Sequence, residues 1–129
     1  AHVHPKAKLH GSDWEENAAE GALQNLQAVG LRGRTFQHDV RMPHDDRYDL
    51  IVRNTPHGVR LKKRASFTRF AREFLDTAYT SLPPRGRIAL LVLRRRGWVD
   101  VAGNTFALED EITVQRKNGP QHLLLFRRA

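Results

Sequence analysis

Apolar positions along the chain alternate between short runs typical of strands and spacings typical of helices. The predicted strands lie at 6–11, 34–39, 48–54, 87–95, 111–116 and 121–127. Among them, 48–54 (YDLIVRN) has the near-continuous apolar centre of a strand that is covered on both faces. The run 87–95 (RIALLVLRR) is the most apolar, and we expect it to be buried in the middle of a sheet.

Two helices are predicted between these strands. Ser12 and Asp13 each stand three residues before a glutamate, so two overlapping capping boxes predict a helix start there. The apolar face of this helix comprises Ala18, Ala19, Ala22, Leu23, Leu26 and Val29. Gly30 supplies its stop. The second helix starts near Ser66, and Pro83-Pro84 ends it. Its apolar face comprises Phe67, Phe70, Phe74, Ala78 and Leu82.

The last two strands flank Lys117-Asn118-Gly119-Pro120, and Asn-Gly between apolar runs is a strong hairpin signal. Strands that alternate with helices favour a mostly parallel α/β sheet, here closed at one edge by the antiparallel hairpin. Ligands of such open sheets bind beyond the carboxyl ends of the strands. Three predicted strands end in groups suited to a ligand, namely Asp13, Asp39 and Asn54.

The composition limits the class of protein. The 129 residues suit one domain, and the shares of hydrophobic (40%) and charged (28%) residues are those of a globular protein. No apolar run approaches the ~20 residues that cross a bilayer, so no membrane partner is expected. The absence of cysteine excludes disulfides and thiolate metal sites and is compatible with a cytoplasmic location. Seven histidines occur without a spacing such as H-E-x-x-H, so no metal site is expected.

The net charge of +8 is concentrated in one segment. Residues 60–96 carry eleven of the 22 Lys and Arg but only Glu73 and Asp76 as acids. The basic clusters of this segment are Arg60, Lys62, Lys63 and Arg64 at its start and Arg94, Arg95 and Arg96 at its end. Such a distribution favours a nucleic-acid partner. A merely solvated basic surface is an equal alternative, and the arginine triplet has the same two interpretations.

Three segments carry a family resemblance: GSDWEENAAEGALQNLQAVGL (11–31), FQHDVRMP (36–43) and YDLIVRNTPHGVRL (48–61). In this order they resemble the second half of class I S-adenosylmethionine-dependent methyltransferases, in particular THUMP-associated RNA methylases and adenine-specific methylases. In those enzymes an acid follows the second strand, an Asp follows the third, and the fourth strand ends in Asn-Pro-Pro-Tyr. The resemblance spans roughly residues 8–128. It implies a Rossmann-like, partial class I methyltransferase fold with helices on both faces, as a single incomplete domain over residues 1–129.

By this resemblance, three residues contact S-adenosylmethionine. Asp13 would accept hydrogen bonds from the ribose hydroxyls, for which a carboxylate is a suitable acceptor. Trp14 would pack along the adenine, and Asp39 would accept a hydrogen bond from its exocyclic amine. The alternative for Asp13 is a helix N-cap that needs no ligand.

The same resemblance makes Asn54-Thr55-Pro56-His57 the catalytic loop of an amino-methyltransferase. Amino methylation needs the nitrogen lone pair, which is delocalised into the base. The Asn54 side-chain oxygen and a backbone carbonyl at Thr55 would accept hydrogen bonds from the amine, while His57 would stack on the flipped-out base. Pro56 keeps the family's second proline, whereas Thr55 replaces the first and His57 replaces the tyrosine. The alternative is a plain turn, which Asn, Pro and Gly all favour.

One part of the family pattern is absent. Members of the family begin their fold with a strand and a glycine-rich loop that wraps the methionine part of the cofactor. This chain has no such segment and begins at what would be the second strand. We therefore expect an upstream segment or a partner chain to complete the sheet. We also expect the 129-residue chain alone not to bind S-adenosylmethionine appreciably.

Three functions compete on this sequence. The leading one is the carboxyl-terminal portion of a nucleic-acid amino-methyltransferase, with structured RNA as the expected substrate. The second is a catalytically inactive, methyltransferase-like RNA-binding module, which Thr55, His57 and the absent glycine loop favour. The third is a free-standing α/β domain without enzymatic activity.

Overall fold

The computed structural model describes residues 7–13, 16–30, 33–38, 47–54, 64–117 and 119–129. The chain divides into two compact units, Ala1–Met42 and Pro43–Ala129, and each has its own sheet. Both units combine helices with parallel strands, and the second adds an antiparallel hairpin, so the predicted α/β class is confirmed. That both units belong to one incomplete domain stays a prediction. None of the helices within the described ranges is long and apolar enough to cross a membrane.

The first unit consists of β1 (Leu9–Asp13), α1 (Glu16–Ala28) and β2 (Gly33–Gln37). The two strands are parallel, as predicted. Ala19 is buried on α1, whereas Leu26 is half-buried. Gly33 allows α1 to approach β2 closely, because a Cβ there would lie 2.9 Å from Leu26 Cδ1. Gly30 follows α1 with a left-handed φ of 74°, which confirms its role as the stop.

The predicted capping boxes of α1 are wrong. Ser12 and Asp13 lie in β1, where they pair with Phe36 and Gln37 of β2. The helix begins only at Glu16. An N-cap immediately precedes the first helical residue, so neither Ser12 nor Asp13 occupies that position. The cap alternative for Asp13 is therefore removed, and Asp13 is instead the last residue of a parallel strand.

The second unit consists of β3 (Leu50–Asn54), α2 (Arg64–Ser81), β4 (Arg87–Val92), α3 (Arg95–Ala102), β5 (Phe106–Arg116) and β6 (Gly119–Arg128). Its sheet has the strand order β3-β4-β6-β5. β3 is parallel to β4, while β6 is antiparallel to both β4 and β5. The predicted central position of β4 and the predicted carboxyl-terminal hairpin are thus confirmed.

The core of the second unit forms between α2, α3 and the sheet. The alternate residues of β4 that are fully buried are Ile88, Leu90 and Val92. Trp98 of α3 is only 2% exposed and meets Phe67 and Phe74 of α2 edge-on, with ring centres 5.6 and 6.0 Å apart. Tyr79, near the end of α2, contacts Phe106 of β5 in the same edge-on manner at 6.0 Å. The apolar spacing of α2 therefore predicted a face that is indeed buried.

Two features of this unit were not predicted. Helix α3 begins at Arg95, the last residue of the run 87–95 that was predicted as a strand. β5 begins at Phe106, five residues before the predicted start at Glu111, and has a bulge between Leu108 and Asp110. The bulge lies among three consecutive acidic residues. Because these residues are polar, the first half of the strand was not recognised from the apolar pattern.

The expectation that β3 is covered on both faces is wrong. Leu50 and Val52 are 54% and 70% exposed, whereas Ile51 between them is half-buried. Cross-strand pairing places this exposed face of β3 on the same side of the sheet as Leu91, Leu123 and Ile112. Its exposed apolar members are Leu50, Val52, Ile112, Val114 and Leu123. One side of the four-stranded sheet, here called the open face, therefore carries exposed apolar side chains among the described residues of the second unit.

Candidate active site

Asn54 is the last residue of β3, and its side chain is exposed. It pairs with Leu91 of the parallel strand β4, so the two strands end at the same edge of the sheet. The alternation along β3 places Asn54 on the open face together with Leu50 and Val52. The rest of the predicted loop and its basic continuation lie outside the described residues: Thr55, Pro56, His57, Arg60, Lys62 and Lys63. Arg64 begins α2, and its side chain is also outside the description.

The predicted cofactor residues belong to the first unit. Asp13 ends β1 and is paired in register with Gln37, the last residue of β2. The two strands therefore end at one edge, and Asp39 comes two residues after that edge in the sequence. Trp14 and Asp39 lie outside the described residues, as does the side chain of Asp13. The strand-end position predicted for Asp13 is confirmed, whereas its contact with a ribose stays a prediction.

A basic cleft of about 600 Å³ lies beyond the carboxyl end of β4. Its walls come from the first turns of α2, from the β4–α3 connection with the start of α3, and from β6. The lining residues are Phe67, Thr68, Arg72, Leu93, Arg94, Arg95, Arg96, Gly97, Asp100, Val101 and His122. Because Asn54 pairs with Leu91, the cleft opens at the edge of the sheet where β3 also ends.

Arg94 is held against an aromatic ring at the floor of this cleft. Its guanidinium carbon lies 5.2 Å from the centre of the buried Phe67 ring, within the range of a cation–π contact. The close approach of α3 to Phe67 depends on Gly97, because a Cβ at that position would lie 2.6 Å from Phe67 Cε1. The small residue at 97 thus brings the start of α3, and Arg94 with it, onto α2.

Arg95 points to the hairpin instead. Its Nε and Nη2 donate to the two carboxylate oxygens of Glu111 at 2.5 and 2.8 Å, which is a bidentate ion pair between α3 and β5. The hydrogen bond from Arg95, together with its positive charge, holds the pKa of Glu111 below the ordinary value, while burial opposes this effect. His122 adds a smaller effect of the same sign, and its Nδ1 lies 3.1 Å from the Thr113 hydroxyl.

The structure therefore separates the three arginines that the sequence groups together. All three line the cleft, but Arg95 is engaged by Glu111, whereas Arg94 lies over the Phe67 ring and Arg96 is exposed. The sequence analysis did not predict that Thr68 and Arg72 line the cleft. Their spacing of four on a helix places them on one face, and that signal could have been found. The ion pair between Arg95 and Glu111 could not be predicted from neighbouring residues, because Glu111 comes close to α3 only when the hairpin has folded.

Curated relatives of the chain are RNA methyltransferases. The chain is 35% identical over 95 residues to tRNA (guanine(6)-N2)-methyltransferase of Thermus thermophilus, and this match covers 70% of the chain and 28% of that enzyme. It is 30% identical over 88 residues to tRNA (guanine(10)-N2)-dimethyltransferase of Methanothermobacter thermautotrophicus, with 64% and 26% covered. The chain thus spans little more than a quarter of the length of these relatives.

Solved structures share the fold. TrmN from Thermus thermophilus superimposes with a TM-score of 0.79 at 26% identity, over 93% of this chain and 36% of that one. ChlM from Synechocystis with bound SAM superimposes with a TM-score of 0.75 at 19% identity, over 95% of this chain and 60% of that one, a level of identity that shows the fold alone. Both support a class I methyltransferase fold. In sequence, residues 1–123 match the family described as UPF0020, RMKL-like, methyltransferase domain. The chain therefore belongs to this family of methyltransferase domains.

Proposed function

We propose that this chain is the carboxyl-terminal portion of an S-adenosylmethionine-dependent RNA methyltransferase that modifies an exocyclic amino group. The observation that carries the proposal is the position of Asn54. It is the last residue of β3, is exposed, and lies at the sheet edge where the basic cleft opens. The family match and the two tRNA methyltransferases to which the chain is similar support the same reaction class. The amino group of guanine in tRNA is the proposed target, because both relatives are named for guanine N2.

The chemistry assigned to the loop follows from the electronic structure of the amine. The Asn54 amide oxygen accepts a hydrogen bond from the exocyclic amine, which localises the lone pair on nitrogen and stabilises the transition state. The backbone carbonyl of Thr55 accepts a second one, and the His57 ring stacks on the flipped-out base. When bound, the cofactor supplies an electrophilic methyl group. The amine nitrogen would bond to the methyl carbon as the carbon–sulfur bond breaks, leaving S-adenosylhomocysteine as a neutral thioether, and the nitrogen would release one proton to solvent.

Among the described residues, Asp13 occupies a position that suits the proposed cofactor. Asp13 ends a parallel strand, which is the position where an acid in a Rossmann-like sheet accepts hydrogen bonds from ribose hydroxyls. Trp14 and Asp39 complete the proposed adenosine contacts. A tRNA substrate would also agree with the proposed cytoplasmic location.

The open face supports the proposal that a further segment completes the sheet. β3 is an edge strand whose exposed side chains include Leu50 and Val52. Large exposed apolar patches of this kind mark surfaces that another segment or chain covers. A segment preceding this chain in the same protein is the proposed cover, since the matches extend over only 28% of the tRNA (guanine(6)-N2)-methyltransferase and 36% of TrmN. Without it, we expect calorimetry to detect no binding of S-adenosylmethionine to the 129-residue chain. Micromolar binding by that chain alone would contradict this proposal.

A second candidate, an inactive RNA-binding module, is favoured by Thr55 and His57, which depart from the family's Asn-Pro-Pro-Tyr. The two functions differ in a direct assay. A protein extended upstream is incubated with tRNA and S-adenosylmethionine labelled in the methyl group, and the RNA is then digested to nucleosides. Labelled N2-methylguanosine supports the proposed enzyme. RNA binding without any labelled nucleoside, under conditions where the cofactor binds, identifies the module.

A further inference from the structure

Within the basic cleft, we propose a binding site for a backbone phosphate of the substrate RNA, next to the nucleotide whose base is methylated. Its ligands are Arg94, Arg96 and Arg72, with the Thr68 hydroxyl as a further donor. The site rests on the proposed function for the identity of the RNA, but its geometry stands on the second unit alone. It assigns different roles to neighbouring arginines that the sequence cannot distinguish.

Arg94 is the best oriented of these ligands. Its guanidinium lies over the Phe67 ring, which limits its motion and leaves its in-plane N–H groups free to form hydrogen bonds at the edge of the plane. Phe67 is itself fixed, because it is 7% exposed and meets Trp98 edge-on. A planar guanidinium held in this way suits two parallel hydrogen bonds to phosphate oxygens. Little side-chain entropy is then lost when the phosphate binds.

The surroundings favour an anion. Arg72 approaches from α2, and Arg96 from the first turn of α3, so cations line two sides of the cleft. Among the described residues that line it, Asp100 is the one carboxylate. His122 lies at the side formed by β6. The charge of Arg95 is balanced by Glu111, so the excess positive charge of the cleft comes from Arg72, Arg94 and Arg96.

The position of the site fits a nucleotide adjacent to the target. Asn54 pairs with Leu91, and Arg94 follows Leu91 by three residues. β4 ends at Val92, one residue or ~3.3 Å beyond the level of Asn54, and Arg94 follows two residues later in the connection to α3. The Asn54 side chain lies on the open face and the cleft lies on the side covered by α2 and α3, so an RNA that crosses this edge of the sheet can place a base at Asn54 and a neighbouring phosphate at Arg94. Phosphate contacts of this kind set the register of a nucleic acid while base contacts select the sequence.

Arg95 has a different role in this proposal, that of a positioning residue. Its bidentate pair with Glu111 ties the start of α3 to β5 across the cleft wall. The residues on either side of it, Arg94 and Arg96, are thereby presented to the cleft. Loss of the pair should weaken RNA binding through the position of α3, without loss of a phosphate contact.

The test measures the affinity of the upstream-extended protein for a fluorescein-labelled RNA stem-loop by fluorescence anisotropy, over a series of salt concentrations. Arg94→Gln, Arg96→Gln and Arg72→Gln should each weaken binding about tenfold, the loss expected for one charge-assisted hydrogen bond. Each should also reduce the slope of log K against log salt by about 0.7–0.9. The matched control is Arg69→Gln, because Arg69 lies on the same helix as Arg72 but pairs with Glu73 and does not line the cleft.

For the positioning role, Arg95→Gln and Glu111→Gln should each weaken binding with the salt slope unchanged. The charge-reversed double variant, with Arg95→Glu and Glu111→Arg, should restore most of the affinity. A direct phosphate contact by Arg95 would instead be lost in the double variant as in the single one. Wild-type affinity and salt slope in Arg94→Gln, with a folded protein by circular dichroism, would overturn the site. Methyl transfer is scored separately: weakened binding in a protein that never methylates RNA leaves the phosphate site standing and refutes the proposed enzyme.

Discussion

Substitution of Gly97 by alanine tests the packing that holds α3 against α2. A Cβ at this position would lie 2.6 Å from Cε1 of Phe67, closer than real carbon contacts allow, and 3.1 Å from Cζ, which is a tight contact. The ring cannot simply move away, because Phe67 is buried, contacts Trp98 edge-on at 5.6 Å and lies beneath Arg94. Either α3 or the ring must therefore shift.

The magnitude follows from two opposing effects. Overpacking of a buried contact costs ~1–3 kcal/mol. Alanine is better than glycine in a helix by ~1 kcal/mol, which offsets part of that cost. The net expectation for Gly97→Ala is a free energy of unfolding lower by about 0–2 kcal/mol. Gly21 provides the matched control, since it lies within α1 and a Cβ there would meet nothing within 4 Å. Gly21→Ala should therefore raise stability by up to ~1 kcal/mol.

The assay is urea unfolding of both variants, followed by circular dichroism and tryptophan fluorescence. The midpoint of Gly97→Ala should lie below that of wild type and that of Gly21→Ala above it, with equal slopes. The comparison cancels helix propensity, so the difference between the variants reports the contact with Phe67. If Gly97→Ala proved as stabilising as Gly21→Ala, α3 would not be held against Phe67 as described, and the placement of Arg94 would lose its basis.

Three further outcomes are expected. Trp98→Ala should lower the free energy of unfolding by ~3–5 kcal/mol in the same urea experiment, because it empties a buried site among three phenylalanine rings. The folded pKa of Glu111 lies below its ordinary value of 4.5 through Arg95, so the pair stabilises the fold above about pH 4.5. That stability is lost as pH falls through the lower folded pKa, and unfolding midpoints measured against pH should fall less steeply in Glu111→Gln. His57→Ala should weaken binding of the target nucleotide by about 1–3 kcal/mol in RNA titrations, whereas His57→Tyr should not.

The parts of the fold that the sequence predicted are those whose apolar spacing is long and regular. α2 repeats its apolar residues at helical spacing along 18 residues, and β4 is a continuous apolar run, which predicted a buried central strand. α3 was not predicted because its eight residues bury only Trp98 and Ala102, and its N-cap, Arg94, makes no side-chain capping bond. The coverage of β3 was misjudged for a different reason. An apolar run shows that a strand can be covered, but not which segment covers it.

For the candidate site, the sequence predicted which residues lie at the strand ends, but not which charged side chains pair with each other. Asn54 and Asp13 were expected at strand ends, and both lie there because short parallel strands end where polar residues follow apolar ones. The separation of Arg95 from Arg94 could not be predicted. Arg95 differs from Arg94 because it pairs with Glu111, sixteen residues away. Glu111 lies in β5, and the acidic first half of that strand was not predicted.

The central claim, that Asn54 serves amino methylation, is tested most directly by single-turnover methyl transfer to tRNA from saturating S-adenosylmethionine. The protein, extended upstream of this chain, is compared as wild type, Asn54→Ala and the control Asn25→Ala, whose residue is exposed on α1. Loss of one transition-state hydrogen bond predicts a rate lower by ~100-fold or more in Asn54→Ala, with RNA affinity within about twofold and Asn25→Ala at the wild-type rate. Transfer by Asn54→Ala at the wild-type rate would contradict the account and leave Asn54 as no more than the end of a strand.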